Sequence, residues 1–325
     1  MSQQHAFITG GAGFIGSHLA ERLLSDGIAV TLLDNLSTGN YANISHLEAR
    51  NDVNLLIDTV FNESLVAELI RDSDFVFHLA SAVGVKLIME RPVETIETIF
   101  GATEVVLRNC SRFRKPVLVT STSEVYGKGT SIPFREGDDV VTGPTSKHRW
   151  AYACAKSLDE FLALAHWRQS RLPVSVVRLF NTVGPRQTGQ YGMVVPRFIE
   201  AALAGDPIVI HGDGSQARCF AHVSDVVDGL VRCLQTPNCY GQVMNLGNDQ
   251  ETTISDLADR VIQITESDSQ IHRISYQEAY GEGFEDMQRR VPCLDRARRL
   301  INYQPTRDLD RIIQDVAACV RKPDS

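Results

Sequence analysis

The chain has 325 residues and lacks what several function classes require. Asp and Glu number 40 against 32 Lys and Arg, a net charge of -8 with a pI near 5.6. Neutralising a phosphate backbone takes a basic surface, so nucleic acid is not an expected partner. No apolar run approaches the roughly 18 residues that a bilayer-spanning helix needs. Residues 1–5 carry neither the basic nor the apolar stretch of a secretory leader, so the expectation is a cytoplasmic protein without membrane contact. The seven cysteines, at 110, 154, 219, 233, 239, 293 and 319, include no C-x-x-C pair. That spacing suits neither a disulfide framework nor a zinc site, and predicts reduced, mostly buried thiols and no metal. Repeats, low-complexity tracts and flexible linkers are also missing.

What is present is rhythm. Short β-branched runs at 6–9, 29–33, 54–57, 75–79, 117–120 and 174–179 alternate with helical patterns at 15–25, 63–71, 93–112 and 150–169. Continuous apolar strands separated by helices predict an α/β fold, a doubly wound parallel sheet of the Rossmann type. Beyond 180 the rhythm loosens around Gly184-Pro185, Gly212-Asp213-Gly214 and Gly281-Glu282-Gly283. Helices are expected near 195–204, 224–234, 254–265 and 308–320, with a strand at 208–210. The reading is a dinucleotide-binding domain over 1–180 and a smaller C-terminal α/β substrate lobe over 181–325, with some crossing of the chain between them.

Gly10-x-x-Gly13-x-x-Gly16 falls where the first strand gives way to a helix that opens with Phe14 and Ile15. Glycines there permit a tight turn and let backbone amides approach a pyrophosphate at the helix N-terminus. Asp34 ends the second strand eighteen positions after Gly16, with Asn35 beside it. A carboxylate there accepts hydrogen bonds from ribose hydroxyls and repels a 2′-phosphate, so NAD is favoured as cofactor. At later strand ends, Asp58 is placed to reach adenine, and Leu79, Ala80 and Ser81 are small enough to lie against the cofactor.

Residues 121–127, Ser-Thr-Ser-Glu-Val-Tyr-Gly, set hydroxyls (Thr122, Ser123) and one carboxylate (Glu124) at the end of the fifth strand. Tyr152 and Lys156 follow at (i, i+4), on one helical face. A phenol with an ordinary pKa of about 10 needs acidifying to act as a base near neutrality, and an ammonium one turn away favours the phenolate.

Together with Asn181-x-x-Gly184-Pro185-Arg186 and Arg218-x-Phe220-x-His222-Val223-x-Asp225, these segments resemble the extended short-chain dehydrogenase/reductase family of nucleotide-sugar epimerases, dehydratases and decarboxylases. The resemblance covers nearly the whole chain. It implies that Tyr152 removes the sugar 4-hydroxyl proton while hydride passes from C4 to NAD. It also implies that Lys156 holds the nicotinamide ribose and that Thr122 or Ser123 completes the relay. Thr-Ser-Glu-Val-Tyr-Gly, the stretch 149–156 and the stretch 280–286 are similar to UDP-glucuronic acid decarboxylases and UDP-apiose/UDP-xylose synthases, whereas 181–192 is closer to generic epimerases. Three outcomes follow a 4-keto sugar: decarboxylation to a UDP-pentose, 4-epimerisation of UDP-glucose or UDP-glucuronate, and 4,6-dehydration. Glu124 discriminates among them. The resemblance places Arg218 near the sugar diphosphate, Arg290 facing the diphosphate or acting near C5, and Asn181 on the sugar or diphosphate. By its position after a cofactor-side strand, Lys86 is a candidate for a C6 carboxylate. It further implies a homodimer built on helices 93–112 and 150–169. A non-catalytic NAD-binding scaffold is the reading from another class, and it leaves the proton relay without a purpose.

Overall fold

The computed structural model describes residues 3–81, 91–147, 149–189, 193–280 and 289–321. Seven strands form one parallel sheet: β1 (His5–Thr9), β2 (Ala29–Asp34), β3 (Val53–Ile57), β4 (Phe75–His78), β5 (Val117–Thr122), β6 (Val174–Leu179) and β11 (Val243–Leu246). Their order is β11-β6-β5-β4-β1-β2-β3. Strands apolar on both sides need cover on both faces. Helices α1 (Phe14–Ser25) and α6 (Val223–Gln235) bury one face with Leu19, Leu23, Val226 and Leu230. On the other face α2 (Glu63–Asp72), α3 (Pro92–Phe113) and α4 (Arg149–Ser170) contribute Val66, Ile70, Val106 and Ala163. This is the doubly wound α/β architecture expected from the rhythm. Strand order reverses between β1 and β4, so a crevice opens at their carboxyl ends.

β11 is the strand that the rhythm does not reveal. Its four residues, Val-Met-Asn-Leu, are buried throughout and pair with β6. A four-residue run between glycines carries no periodicity to read. Through α6 and β11 the chain returns to the sheet after residue 181.

The remaining elements pack as a second layer. Around β8 (Ile208–His211) and its parallel partner β13 (Ile271–Ile274), helices α5 (Val194–Ala204), α7 (Ile254–Thr265) and α10 (Leu309–Val320) bury Phe198, Ile199, Leu257, Val261 and Ile312. The side chains of Thr253 and Asp308 cap α7 and α10 by accepting the N–H groups of Asp256 and Arg311, which fixes where those helices start. Two small ladders sit between the layers: β7 (Thr182–Val183) with β10 (Ala221–His222), and β12 (Glu251–Thr253), β9 (Ala217–Cys219) and β14 (Arg289–Arg290). Among the described residues no helix is long and apolar enough to cross a membrane.

Candidate active site

A cavity of about 720 Å³ runs from Gly10 along the carboxyl ends of the sheet to Arg218 and Arg290 in the second layer. Gly10 ends β1 with φ +74°, and a Cβ there would stand 2.8 Å from the backbone nitrogen of Ala80. At Gly16 a Cβ would run into the Gly10 carbonyl oxygen. Both places need glycine. Gly13 enters α1 in extended conformation, with no side-chain cap and no acidic residue in the first turn. The first-turn amides of Phe14, Ile15 and Gly16, all at the cavity wall, are thus left unblocked by any side chain.

Asp34 accepts the N–H groups of Ala12 (2.9 Å) and Leu36 (2.8 Å). Burial pushes its carboxyl up, against the pull of those backbone amides. Asn35, Asp58, Leu79, Ala80 and Ser81 line the same end. The Asp58 carboxylate is held by the Thr59 N–H (2.7 Å) and Asn62 Nδ2 (2.8 Å), and the buried Ser81 hydroxyl has no hydrogen-bond partner among the described residues. Thr38, Asn40 and Asn43 also line this end, and the sequence reading missed them. Asn40 N–H and Asn43 Nδ2 both donate to the Ala12 carbonyl, tying their loop to the glycine turn. The small polar stretch Ser37-Thr38-Gly39-Asn40 directly after Asp34 was the available signal.

Thr122, Ser123 and Glu124, from the end of β5 and the 3-10 turn Ser123–Tyr126, meet Tyr152 and Lys156 of α4 at the middle of the cavity. Burial pushes the Tyr152 phenol above its ordinary value, the charge of Glu124 adds to this, and a hydrogen bond with Thr122 opposes it. The phenolate expected at Tyr152 thus needs both the Lys156 ammonium and the positive nicotinamide of the bound cofactor to offset this burial. Lys156 Nζ donates to Asp159 Oδ2 at 2.8 Å, with both groups buried, so a carboxylate one turn on takes up much of its charge.

At the far end Arg290 Nη2 lies 2.7 Å from Glu124 Oε1. β14 and β9 run parallel with Arg290 opposite Arg218, which sets two guanidinium groups side by side, 7% and 8% exposed. Arg290 Nε is buried without a hydrogen-bond partner. Glu124 meets one of these two charges, and the spare Arg290 Nε suits a further anionic acceptor at this wall. Asn181 Nδ2 donates to the Cys219 carbonyl at 3.1 Å, at the same wall. Arg197, which the sequence reading passed over, stands with Nη1 3.1 Å from His211 Nε2. Burial and the Arg197 charge push His211 down to about 4. Lys86 and residues 281–286 lie outside the described residues. His222 serves as the N-cap of α6, its ring accepting the Ser224 N–H.

A glycine turn without room for a Cβ, uncapped helix amides and a carboxylate at the next strand end fit a dinucleotide, and the paired arginines fit a second phosphate-bearing ligand. A model of the NAD dependent epimerase/dehydratase family matches residues 6–247. The chain belongs to this family. It is an enzyme, and NAD is its cofactor. It is 41% identical to the UDP-N-acetyl-alpha-D-glucosaminuronate decarboxylase of Bacillus cytotoxicus over 304 residues, 93% of each chain. It is 35% identical to UDP-glucuronic acid decarboxylase 1 of Xenopus tropicalis, across 98% of this chain and 73% of that one. Among solved structures, UDP-glucuronic acid 4-epimerase from Bacillus cereus, in complex with UDP-glucuronic acid and NAD, is similar with a TM-score of 0.86 at 25% identity, covering 98% and 99% of the two chains.

Proposed function

We propose that this family member decarboxylates a UDP-linked uronate through a 4-keto sugar. The observation that carries the reading is the Glu124–Arg290 pair at 2.7 Å in the cavity that Tyr152 lines. The decarboxylases among its relatives support it. In this reading the α1 amides with Gly10 and Gly13 hold the NAD pyrophosphate, Asp34 and Asn35 its adenosine ribose, and Asp58 its adenine. Leu79, Ala80 and Ser81 flank it, and Lys156 holds the nicotinamide ribose. When bound, NAD takes hydride from sugar C4 and later returns it.

Tyr152 accepts the O4 proton while Thr122 and Ser123 hydrogen-bond the same oxygen. Once C4 is a ketone, the C6 carboxylate is β to it. The C5–C6 bond breaks, carbon dioxide leaves, and the electron pair goes to C5 as an enolate whose oxygen the protonated Tyr152 hydrogen-bonds. C5 then takes a proton drawn from solvent and relayed through the Glu124 carboxylate, and Arg290 meets the C6 carboxylate. Arg218 and Asn181 hold the diphosphate. Incubation with UDP-N-acetylglucosaminuronate and with UDP-glucuronate should release carbon dioxide from at least one and leave the decarboxylated UDP-sugar. A product of unchanged mass would instead mean 4-epimerisation, and loss of water dehydration. Glu124→Gln should lower decarboxylation by roughly 10²-fold or more, the scale of a lost proton-transfer group. An epimerase would tolerate it.

A homodimer in the cytoplasm completes the reading. Val93 and Ile96 on α3 and Leu158 and Phe161 on α4 are exposed apolar residues on helices that pack together, and the cysteines are unpaired thiols, as a reducing compartment keeps them.

A further inference from the structure

Buried carboxylates are retained where something holds them, because an ionised group taken out of water is costly unless paired. Asp159 is fully buried, and its ion-pair partner is the lysine of the active site, at 2.8 Å. Its side chain also meets the Thr103 hydroxyl of α3, which itself donates to the Ile99 carbonyl at 3.1 Å. Tyr152, Lys156 and Asp159 stand at i, i+4 and i+7 on α4, which places them along one face.

We propose that Asp159 is a positioning residue that sets the working pH of Tyr152: it anchors the Lys156 ammonium and puts a counter-charge on the helix face that the phenol shares. The inference rests on Tyr152 as the base of the proposed reaction. The charged groups around it are otherwise matched. Glu124, from the turn after β5, faces Tyr152 and is paired with Arg290 of β14. Glu160, the neighbour of Asp159, is held bidentately by Arg178 of β6 at 2.9 and 2.7 Å. From β4, His78 is fully enclosed and pushed down to about 3 by burial and by the Lys156 charge, so it stays neutral. Burial pushes Asp159 itself up, against the charge and hydrogen bond of Lys156 and the hydrogen bond of Thr103. Asp159 in turn adds to the forces that raise the Tyr152 phenol.

Removing a negative charge near a phenol makes it more acidic. At two helical turns, about 10 Å, and an effective dielectric near 20, one charge moves a pKa by about one unit. Asp159→Asn keeps the shape and removes the charge. The acid limb of kcat against pH should move about one unit lower. An activity-free readout is the ultraviolet tyrosinate titration of the protein without substrate, with the Tyr152→Phe titration subtracted in each background. It should move in the same direction by a similar amount. A folded Asp159→Asn whose limb and titration stay where the wild type has them would overturn the proposal and leave Asp159 a structural ion-pair partner. Should Asp159→Asn unfold the chain, the Lys156→Gln/Asp159→Asn double variant is compared with Lys156→Gln by the same titration. A tyrosine that titrates lower in the double variant supports the counter-charge, and an unmoved one overturns it. Persistent turnover in Tyr152→Phe would sink the assigned base and the proposed reaction, whereas the titration decides the Asp159 effect on its own.

Discussion

The two ends of the cavity handle charge in opposite ways. At the cofactor end the polar groups are backbone amides at the start of α1, the Asp34 and Asp58 carboxylates held by neutral N–H donors, and a buried neutral histidine. From Tyr152 onward the wall carries charged groups in ion pairs: Lys156, held from behind by Asp159, and Arg290 with Glu124. A dinucleotide brings its own negative charge to dipoles already pointed at it, and fixed amides need no counter-ion when it is away. Guanidinium and ammonium groups do need one. The carboxylates at the substrate end hold those cations in place, and Glu124 gives the cation it holds a chemical neighbour as well.

Tyr152→Phe is the strongest test of that separation. Losing the phenol oxygen should cut turnover by roughly 10³-fold, within the range for a lost general base. NAD affinity, measured by calorimetry on the free enzyme, should stay within about twofold, because the cofactor end depends on α1 and Asp34. Loss of NAD binding together with turnover would show that the two ends are one unit.

Arg290→Lys tests the substrate end with a smaller effect. Lysine keeps the charge that Glu124 needs but loses the planar fork, so a diphosphate or carboxylate loses its bidentate contact. KM for the nucleotide sugar should rise about tenfold, worth roughly 1.4 kcal/mol, with NAD binding unchanged. A fall in NAD affinity instead would mean that Arg290 serves the cofactor, and the division drawn at Tyr152 would have to move.

The same contrast explains what the sequence could reveal. Gly10 to Gly16, Asp34 and the Tyr152/Lys156 pair are local: each role follows from spacing along one strand end or one helix face, and the structure brings them to one cavity. The helix bounds of α7 and α10 were legible because Thr253 and Asp308 cap them. The pairings at the substrate end were not. Glu124 and Arg290 are separated by 166 positions and meet only because Phe134 pairs with the segment Val291 to Cys293, its N–H and carbonyl bonding both residues. Arg197 reaches the site from a helix whose pattern signals packing alone. Asp159 could be seen in the sequence one turn after Lys156, but its burial could not, and burial is what turns an ordinary surface pair into a restraint on the base.

The smallest effect concerns stability at the cofactor end. His78, at the end of β4, is enclosed between Thr9 Oγ1 at 2.8 Å from Nδ1 and Thr103 Oγ1 at 3.2 Å from Nε2. Burial pushes it down to about 3 from an ordinary value of 6.5. The folded chain keeps it neutral while the unfolded chain protonates it below 6.5. Its stabilisation is therefore complete above that pH and is lost as pH falls toward 3. At pH 5 the loss is about 2 kcal/mol, the free energy of 1.5 pH units. For a chain of this size that corresponds to roughly 3 °C in Tm. His78→Gln cannot take up the proton, so its Tm should drop less than the wild type's between pH 7.5 and pH 5 by about that amount. His18, His166, His211 and His222, also pushed down by burial, are common to both proteins and cancel in the difference. Equal drops in the two proteins would mean that the buried imidazole is matched by a charge when it protonates, and the neutral character of the cofactor end would be wrong at its centre.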